Sequence, residues 1–185
     1  MGGACPTVLA GQDGIIQVLC TQVAAEGQFL VPKVVTISPT GQELAHLNLP
    51  KGALPGGVYA YLDAQDRMVL VDGTNTLLRV AHSEDGRTLS VDSRVDLKDF
   101  LSQIPGDQVV VLVPDWQGRV WVASKNAVVA VVDTERGTIR SLRPNMISPS
   151  ERVDNSISAC PSGASVVTSH GIYMLSAANT SQPGI

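Results

Sequence analysis

The sequence predicts an all-β protein built from about four β-propeller blades, the last one incomplete. Three observations carry this. Apolar residues come in short bursts rich in Val, Ile and Leu, separated by turn residues, and no long stretch has the 3.6-residue apolar rhythm of a helix. The chain holds 17 Gly and 11 Pro in 185 residues, enough to punctuate many short strands. The punctuation is also periodic. Asp63 and Asp115 are 52 positions apart, as are Arg67 and Arg119 and, one step earlier, Gly14 and Asp66. Stepping 45 positions on from Gly118 reaches Gly163. A second series, Gly41, Gly86 and Gly137, is spaced by 45 and then 51. Two interleaved turn series with one period make two hairpins per repeat, which is the four-stranded blade of a propeller.

Taken in order, blade one is expected at 6–10, 15–20, 34–38 and 43–49, and blade two at 58–62, 68–72, 77–81 and 88–93. Blade three follows at 109–114, 120–124, 128–133 and 138–142. Blade four has only three strands, at 155–160, 165–168 and 171–175. Longer connections fall around 21–33, 94–107 and 143–154. The reading is therefore a single, partial propeller domain over residues 1–176 with a loose polar tail at 177–185. Blades pack face to face, so an open arc of them exposes apolar faces. The chain either closes as a four-bladed ring, pairs with a second copy, or is half of a larger ring; the last is favoured.

Composition narrows the partners. The net charge is −4 with dispersed acids and no basic stripe, which excludes electrostatic support for nucleic-acid binding. No stretch of 18 apolar residues offers a membrane-spanning helix. The first residues, Met1 to Pro6, lack the basic and apolar regions of a secretory leader, and Pro6 stands where a myristoylation signal wants Ser or Thr.

In the Asp115-Trp116-Gln117-Gly118-Arg119 turn, Asp is expected to cap backbone amides and Gly to take a positive φ. Recurrence of the pattern in successive blades argues for architecture rather than catalysis. Trp116 and Trp121 read as blade-packing residues. With the first hairpin centred between Gln12 and Asp13, paired residues sum to 25. Cys5 and Cys20 then lie opposite each other, within disulfide reach. Cys160 reads as a core residue of blade four, and three cysteines without Cys-x-x-Cys spacing argue against a zinc site.

His46 and His82 read as solvent-facing strand residues. Asn75, Lys125, Asn126 and His170 share the turn between second and third strands, at the end of a propeller where ligands collect. They form a candidate binding rim, joined by Asp154 and Asn155 near the start of an inner strand. Asp107 and Glu151 could approach the same channel mouth. No Gly-x-Ser-x-Gly elbow exists, so no catalytic residue is assigned.

Three runs of this sequence, Tyr61-Leu62-Asp63-Ala64-Gln65-Asp66-Arg67, Pro114-Asp115-Trp116-Gln117-Gly118-Arg119-Val120-Trp121, and Asn155-Ser156 with Gly171-Ile172-Tyr173, resemble a bacterial quinoprotein-like β-propeller family. That group includes longer exported proteins and, more distantly, lactonase- and gluconolactonase-like hydrolases. The resemblance covers nearly the whole chain at the level of blades and implies fold, not activity. By analogy alone it brings calcium or pyrroloquinoline quinone as cofactors. It also suggests a periplasmic or extracellular location, in keeping with a Cys5–Cys20 bridge. Two functions follow: a scaffold or binding module for a small molecule or protein, completed by a second copy or by the remainder of a ring, or a quinoprotein- or lactonase-like enzyme acting at the channel mouth.

Overall fold

A computed structural model of the chain describes residues 3–23, 30–50, 60–102, 109–126, 129–142, 153–160, 163–169 and 171–176. Four antiparallel sheets make up the described structure. They form two compact units, Met1–Arg94 and Val95–Ile185.

In the first unit, one sheet runs in order through β1 (Gly3–Ala10), β2 (Ile16–Val23), β3 (Leu30–Ile37) and β4 (Glu43–Asn48). The next runs through β5 (Tyr61–Leu62), β6 (Met68–Val71), β7 (Thr76–His82) and β8 (Leu89–Asp96). In the second unit, β9 (Val109–Pro114), β10 (Arg119–Ser124), β11 (Val129–Asp133) and β12 (Thr138–Leu142) form a third sheet. The fourth has three strands, β13 (Val153–Cys160), β14 (Gly163–Thr168) and β15 (Gly171–Ser176). All fifteen expected strands are present, each four-stranded sheet is a sequential meander, and the fourth sheet is one strand short, as the sequence predicts. The connection after β8 adds one feature the apolar pattern does not announce, a single helical turn, α1 (Lys98–Leu101), with Phe100 and Leu101 buried.

The same turn closes hairpin after hairpin. Its head residue (Gly11, Ser38, Asp63, Asp72 or Asp115) donates its N–H to the carbonyl four residues on. The head's own carbonyl accepts the N–H of the residue three on, namely Gly14, Gly41, Asp66, Asn75 or Gly118. The Ser83 turn is one residue longer, bonding to the Thr88 carbonyl while Gly86 N–H returns to Ser83. Each of these third residues has a positive φ, between 57° at Asp66 and 86° at Gly41. This is the three-residue hairpin loop, a type I turn followed by a left-handed residue, whose twist suits the flanking strands. Gly137 (φ 65°) closes the hairpin between β11 and β12. Five of the six glycines of the two periodic series, Gly14, Gly41, Gly86, Gly118 and Gly137, are thus left-handed, whereas the sixth, Gly163, is the first residue of β14 and not a left-handed turn residue. Their period is that of a backbone requirement, met elsewhere by Asp66 and Asn75, the residue types that tolerate it best.

Within the first unit the two sheets pack face to face through Leu19 and Val34 on one side and Met68, Leu70, Leu78 and Val80 on the other. Full burial of each such side chain contributes about 1.5–3 kcal/mol. The same face of β2 and β3 also carries Gln17 and Thr36, both fully buried. Gln17 Nε2 donates to the Asp66 carbonyl and Thr36 Oγ1 to the Gly86 carbonyl at 2.6 Å, so two hairpin tips of the second sheet are bonded to the first. Asp66 Oδ2 returns a bond by accepting Gln12 N–H at 2.8 Å. Close approach requires glycine here. A Cβ on Gly86 would lie 2.9 Å from Leu44 and 3.0 Å from Ile15, and one on Gly11 3.2 Å from the Asp66 carboxyl carbon. In the second unit Trp121, Ala123, Val129 and Val131 pack with Val153, Ile157, Ala164, Val166 and Leu175 in the corresponding way.

Cys5 and Cys20 are joined by a disulfide across β1 and β2. The register that brings them together differs from the simple expectation. Near the turn, pairs such as Val8 with Val18 sum to 26, because the three-residue loop between the bonded Gly11 and Ile15 is centred on Asp13. A bulge between Ala4 and Thr7 shifts the ladder by one, and Ala4 pairs with Thr21 in the sum of 25. Pro6 stands in that bulge, where its missing N–H costs no ladder bond. The expected pairing of the cysteines is right, and the bulge is what makes it so. The bridge closes a 15-residue separation, for which loop entropy predicts about 3 kcal/mol. We expect one titrating thiol per chain before reduction and three after it. The Cys5→Ser/Cys20→Ser variant should lose about 3 kcal/mol in denaturant unfolding; three reactive thiols in the unreduced chain would contradict the bridge.

Candidate functional site

The carboxylates that could serve chemistry are largely spent on turns. Asp115, 4% exposed, accepts Gln117 N–H and Arg119 N–H at Oδ1, and Arg119 Nε and the Trp121 indole N–H (3.1 Å) at Oδ2. Asp63 does the same for Gln65 N–H, Arg67 N–H and Arg67 Nε. Asp72 Oδ1 accepts the N–H groups of Thr74 and Thr76 and the Thr74 hydroxyl. A buried carboxylate with its lone pairs filled by its own turn amides is a structural part, not a general base.

The repeats differ in how they hold the arginine. Arg119 lies over the Trp121 ring, 5.9 Å from its centroid. In the second sheet Val69 takes the place of Trp121, and Arg67 instead reaches Asp92, which also binds Arg79 Nε at 2.9 Å. The ion-pair chain Asp63–Arg67–Asp92–Arg79 and the Arg119–Trp121 stack are alternative supports for one turn.

The described members of the candidate rim fall in two places. Asn75 is the left-handed residue of the β6–β7 turn in the first unit. In the second unit, Lys125 and Asn126 form the β10–β11 turn, with Lys125 exposed. The Lys125 carbonyl accepts the N–H of Val153 at 3.3 Å, which fastens this turn to the start of β13. Immediately afterwards the register of β13 against β14 jumps: Val153 pairs with Thr168 and Ser156 with Val167. Asp154 and Asn155 are the two extra residues of a β-bulge, the device that re-aims a strand at functional sites. Four of the six rim residues, Lys125, Asn126, Asp154 and Asn155, are therefore brought to one corner of the second unit. His170 lies outside the described residues, as do Asp107, Glu151 and the tail at 177–185.

Two expectations need correction. Trp116 is no packing residue: as the second residue of its turn it points outward and is 66% exposed, whereas Trp121 is fully buried. His82 is not solvent-facing, because its side chain is 7% exposed, at the junction of the first two sheets. Its Nδ1 donates to the Ser83 carbonyl at 2.8 Å and its Nε2 faces Asp13 Oδ2 at 3.4 Å. His46 is exposed as expected and pairs with Glu43 at 2.9 Å. The sequence also gave no sign of the roles of Gln17 and Thr36, since a polar residue in an otherwise apolar strand reads as one facing solvent.

The Ser83 hydroxyl and the Arg87 amide hold the exposed Asp85 carboxyl below its ordinary range, and the Lys98 amide does so for Asp96. Among the described residues no group of three His, Cys, Asp or Glu side chains is placed to ligate a metal, so the calcium suggested by resemblance finds no ready cradle there.

No known family and no curated protein matches the chain. Solved structures do. A protein of unknown function from Bacteroides caccae superposes with a TM-score of 0.54 at 14% identity, over 89% of this chain and 56% of its own. A protein from Lactobacillus plantarum does so with a TM-score of 0.56 at 12% identity, over 96% of this chain and 69% of its own. The chain thus spans little more than half the length of the first. At such identity the likeness shows fold alone: the chain is an all-β protein of propeller-type blades.

The Asp115 network makes a measurable claim. Asp115→Ala strips two turn amides, an arginine and a fully buried indole N–H of their acceptor, and should cost about 3 kcal/mol in denaturant unfolding. Asp63→Ala, which strands no indole, should cost less. Equal and small losses in both would contradict the assignment.

Proposed function

We propose that the protein is a propeller scaffold that binds a polar small molecule or a protein segment at the corner formed by Lys125, Asn126, Asp154 and Asn155. The observation that carries this is the 3.3 Å bond from Val153 N–H to the Lys125 carbonyl, which ties an exposed polar turn to a bulged strand. The residue types that the backbone brings near one another there, Lys, Asn, Asp and Asn, suit a ligand with both donors and acceptors, such as a sugar acid. Asn75 and His170, which the sequence spacing assigns to turns of the same kind, are kept as proposed binding positions, each within its own unit. The engagement of Asp63, Asp72 and Asp115 in their own turns supports binding over catalysis, and the enzyme alternative rests on resemblance alone.

Residues 1–176 are read as one partial propeller domain with 177–185 as a tail, completed by further blades or by a second copy. The disulfide favours an oxidising setting, periplasmic or extracellular.

The test is 15N chemical-shift mapping with gluconate, glucuronate and calcium as probes. Shifts are expected at the amides of residues 125–126 and 153–156, and Lys125→Ala should weaken the responding probe at least about tenfold, about 1.4 kcal/mol, with the melting temperature unchanged. Shifts confined to other regions, or turnover of a lactone or of a quinone-dependent alcohol oxidation, would overturn the reading.

A further inference from the structure

The Cys5–Cys20 bridge joins two residues in unlike surroundings. Cys5 is exposed, whereas Cys20 is 8% exposed and packs with Val18 and Val35. The bulge between Ala4 and Thr7 also divides the β1–β2 ladder into unequal parts. On one side Thr7, Val8, Leu9 and Ala10 pair in unbroken register with Leu19, Val18, Gln17 and Ile16. Leu9 also packs against the core between the first two sheets, which anchors that part. On the other side lie two register pairs, Gly3 with Gln22 and Ala4 with Thr21, and Pro6 brings no N–H to the ladder. The bridge stands between the two parts, as a covalent tie on the weaker one. β2 itself does not rely on it. Eight pairs, from Ile16 with Ile37 to Val23 with Leu30, hold β2 to β3. As a free thiol, Cys20 remains a small apolar residue suited to its cluster.

We propose that this bridge is a reducible latch: a dithiol reductant opens it in the folded chain, and opening frees the Gly3–Pro6 end of β1 alone. Thiol–disulfide exchange needs access for the incoming thiolate, and exposure directs that attack to Cys5 rather than to Cys20. The thiolate bonds to Cys5 Sγ as the Cys5–Cys20 bond breaks, and the Cys20 sulfur leaves as a thiolate that takes up a proton. The reductant's second thiol, once deprotonated, displaces Cys5 and closes the reductant's own disulfide. Two electrons pass from the dithiol to the protein, and both cysteines end as thiols. The change stays local because it removes no side chain from a core and breaks no pair beyond the bulge. Its effect is to release the pairing of Thr21 and Gln22 with Ala4 and Gly3 while Thr7–Ala10 stays in place. The latch does not depend on ligand binding at the Lys125 turn.

Treating the oxidised full chain with dithiothreitol at neutral pH, without denaturant, tests it. Alkylation and mass spectrometry should show the bridge opening while the circular dichroism spectrum stays unchanged. Hydrogen exchange should then quicken at least about tenfold at residues 3–5 and 21–22, with no change across β3, β6 and β7. The Cys5→Ser/Cys20→Ser variant should show the same exchange pattern without any reductant. A thioredoxin-type dithiol protein whose second cysteine is replaced should stop at a mixed disulfide, and on Cys5. A bridge that resists dithiothreitol until denaturant unfolds the chain would overturn the proposal, as would a mixed disulfide on Cys20. So would exchange that quickens across the whole first unit, which makes the bridge a global clamp, or that quickens nowhere.

Discussion

The left-handed residue at the third position of the hairpin turn is the constraint on which the described structure depends. A blade is a meander of short strands, and each reversal must match the right-handed twist of the sheet. A type I turn followed by a residue at positive φ does this in three residues. Once the reversal is fixed, register follows, and register decides which alternate side chains enter the core. Leu19, Val34, Leu70 and Leu78 share a buried face because Gly14, Asp66, Asn75 and Gly86 turn the chain where they do.

That constraint also explains how neighbouring sheets are joined in the first unit. A tight tip exposes its carbonyls, and the carbonyls of Asp66 and Gly86 are taken up by Gln17 and Thr36. These buried polar side chains would be costly alone, by about 1–3 kcal/mol each. Bonded to the tips, they fix where one sheet lies on the next, a specificity that aliphatic packing by itself lacks. Gly86 serves twice, adopting φ 70° and leaving room for Leu44 and Ile15. The heads contribute in parallel. An Asp at the head binds two or more amides through its side chain, as at Asp63, Asp72 and Asp115, whereas Gly11 leaves that work to Asp13, which caps Ile15 N–H at 2.8 Å.

Much of this architecture was legible in the sequence because it is written in local signals. The 52-residue spacing of Asp63 and Asp115, and the glycine series 41, 86 and 137, report backbone geometry that few residue types can satisfy. The Cys5–Cys20 bridge was legible through hairpin symmetry, although the bulge at Pro6 had to compensate for a turn centred half a residue away. Side-chain environment was harder to read. Trp116 and Trp121 stand five residues apart with the same chemistry, yet one tops a turn and the other fills a core. Only the turn phase separates them. His82 looked exposed because strand alternation describes one sheet, while its burial comes from the sheet packed against it. The corner at Lys125 was half legible: the turn residues were recognisable, but the bulge that brings Asp154 and Asn155 beside them is a non-local register shift.

The most direct test of the central claim is the stability of Gly118→Ala and Gly118→Asn against wild type in denaturant unfolding. Nothing lies within 4 Å of a Cβ built on Gly118, so the substitution meets no steric obstacle and reports the backbone requirement alone. If the left-handed turn organises the blade, alanine should cost about 1–2 kcal/mol and asparagine distinctly less, because asparagine tolerates this region. Alanine as stable as wild type would mean that the hairpin forms without the left-handed residue, and the account built on it would fail.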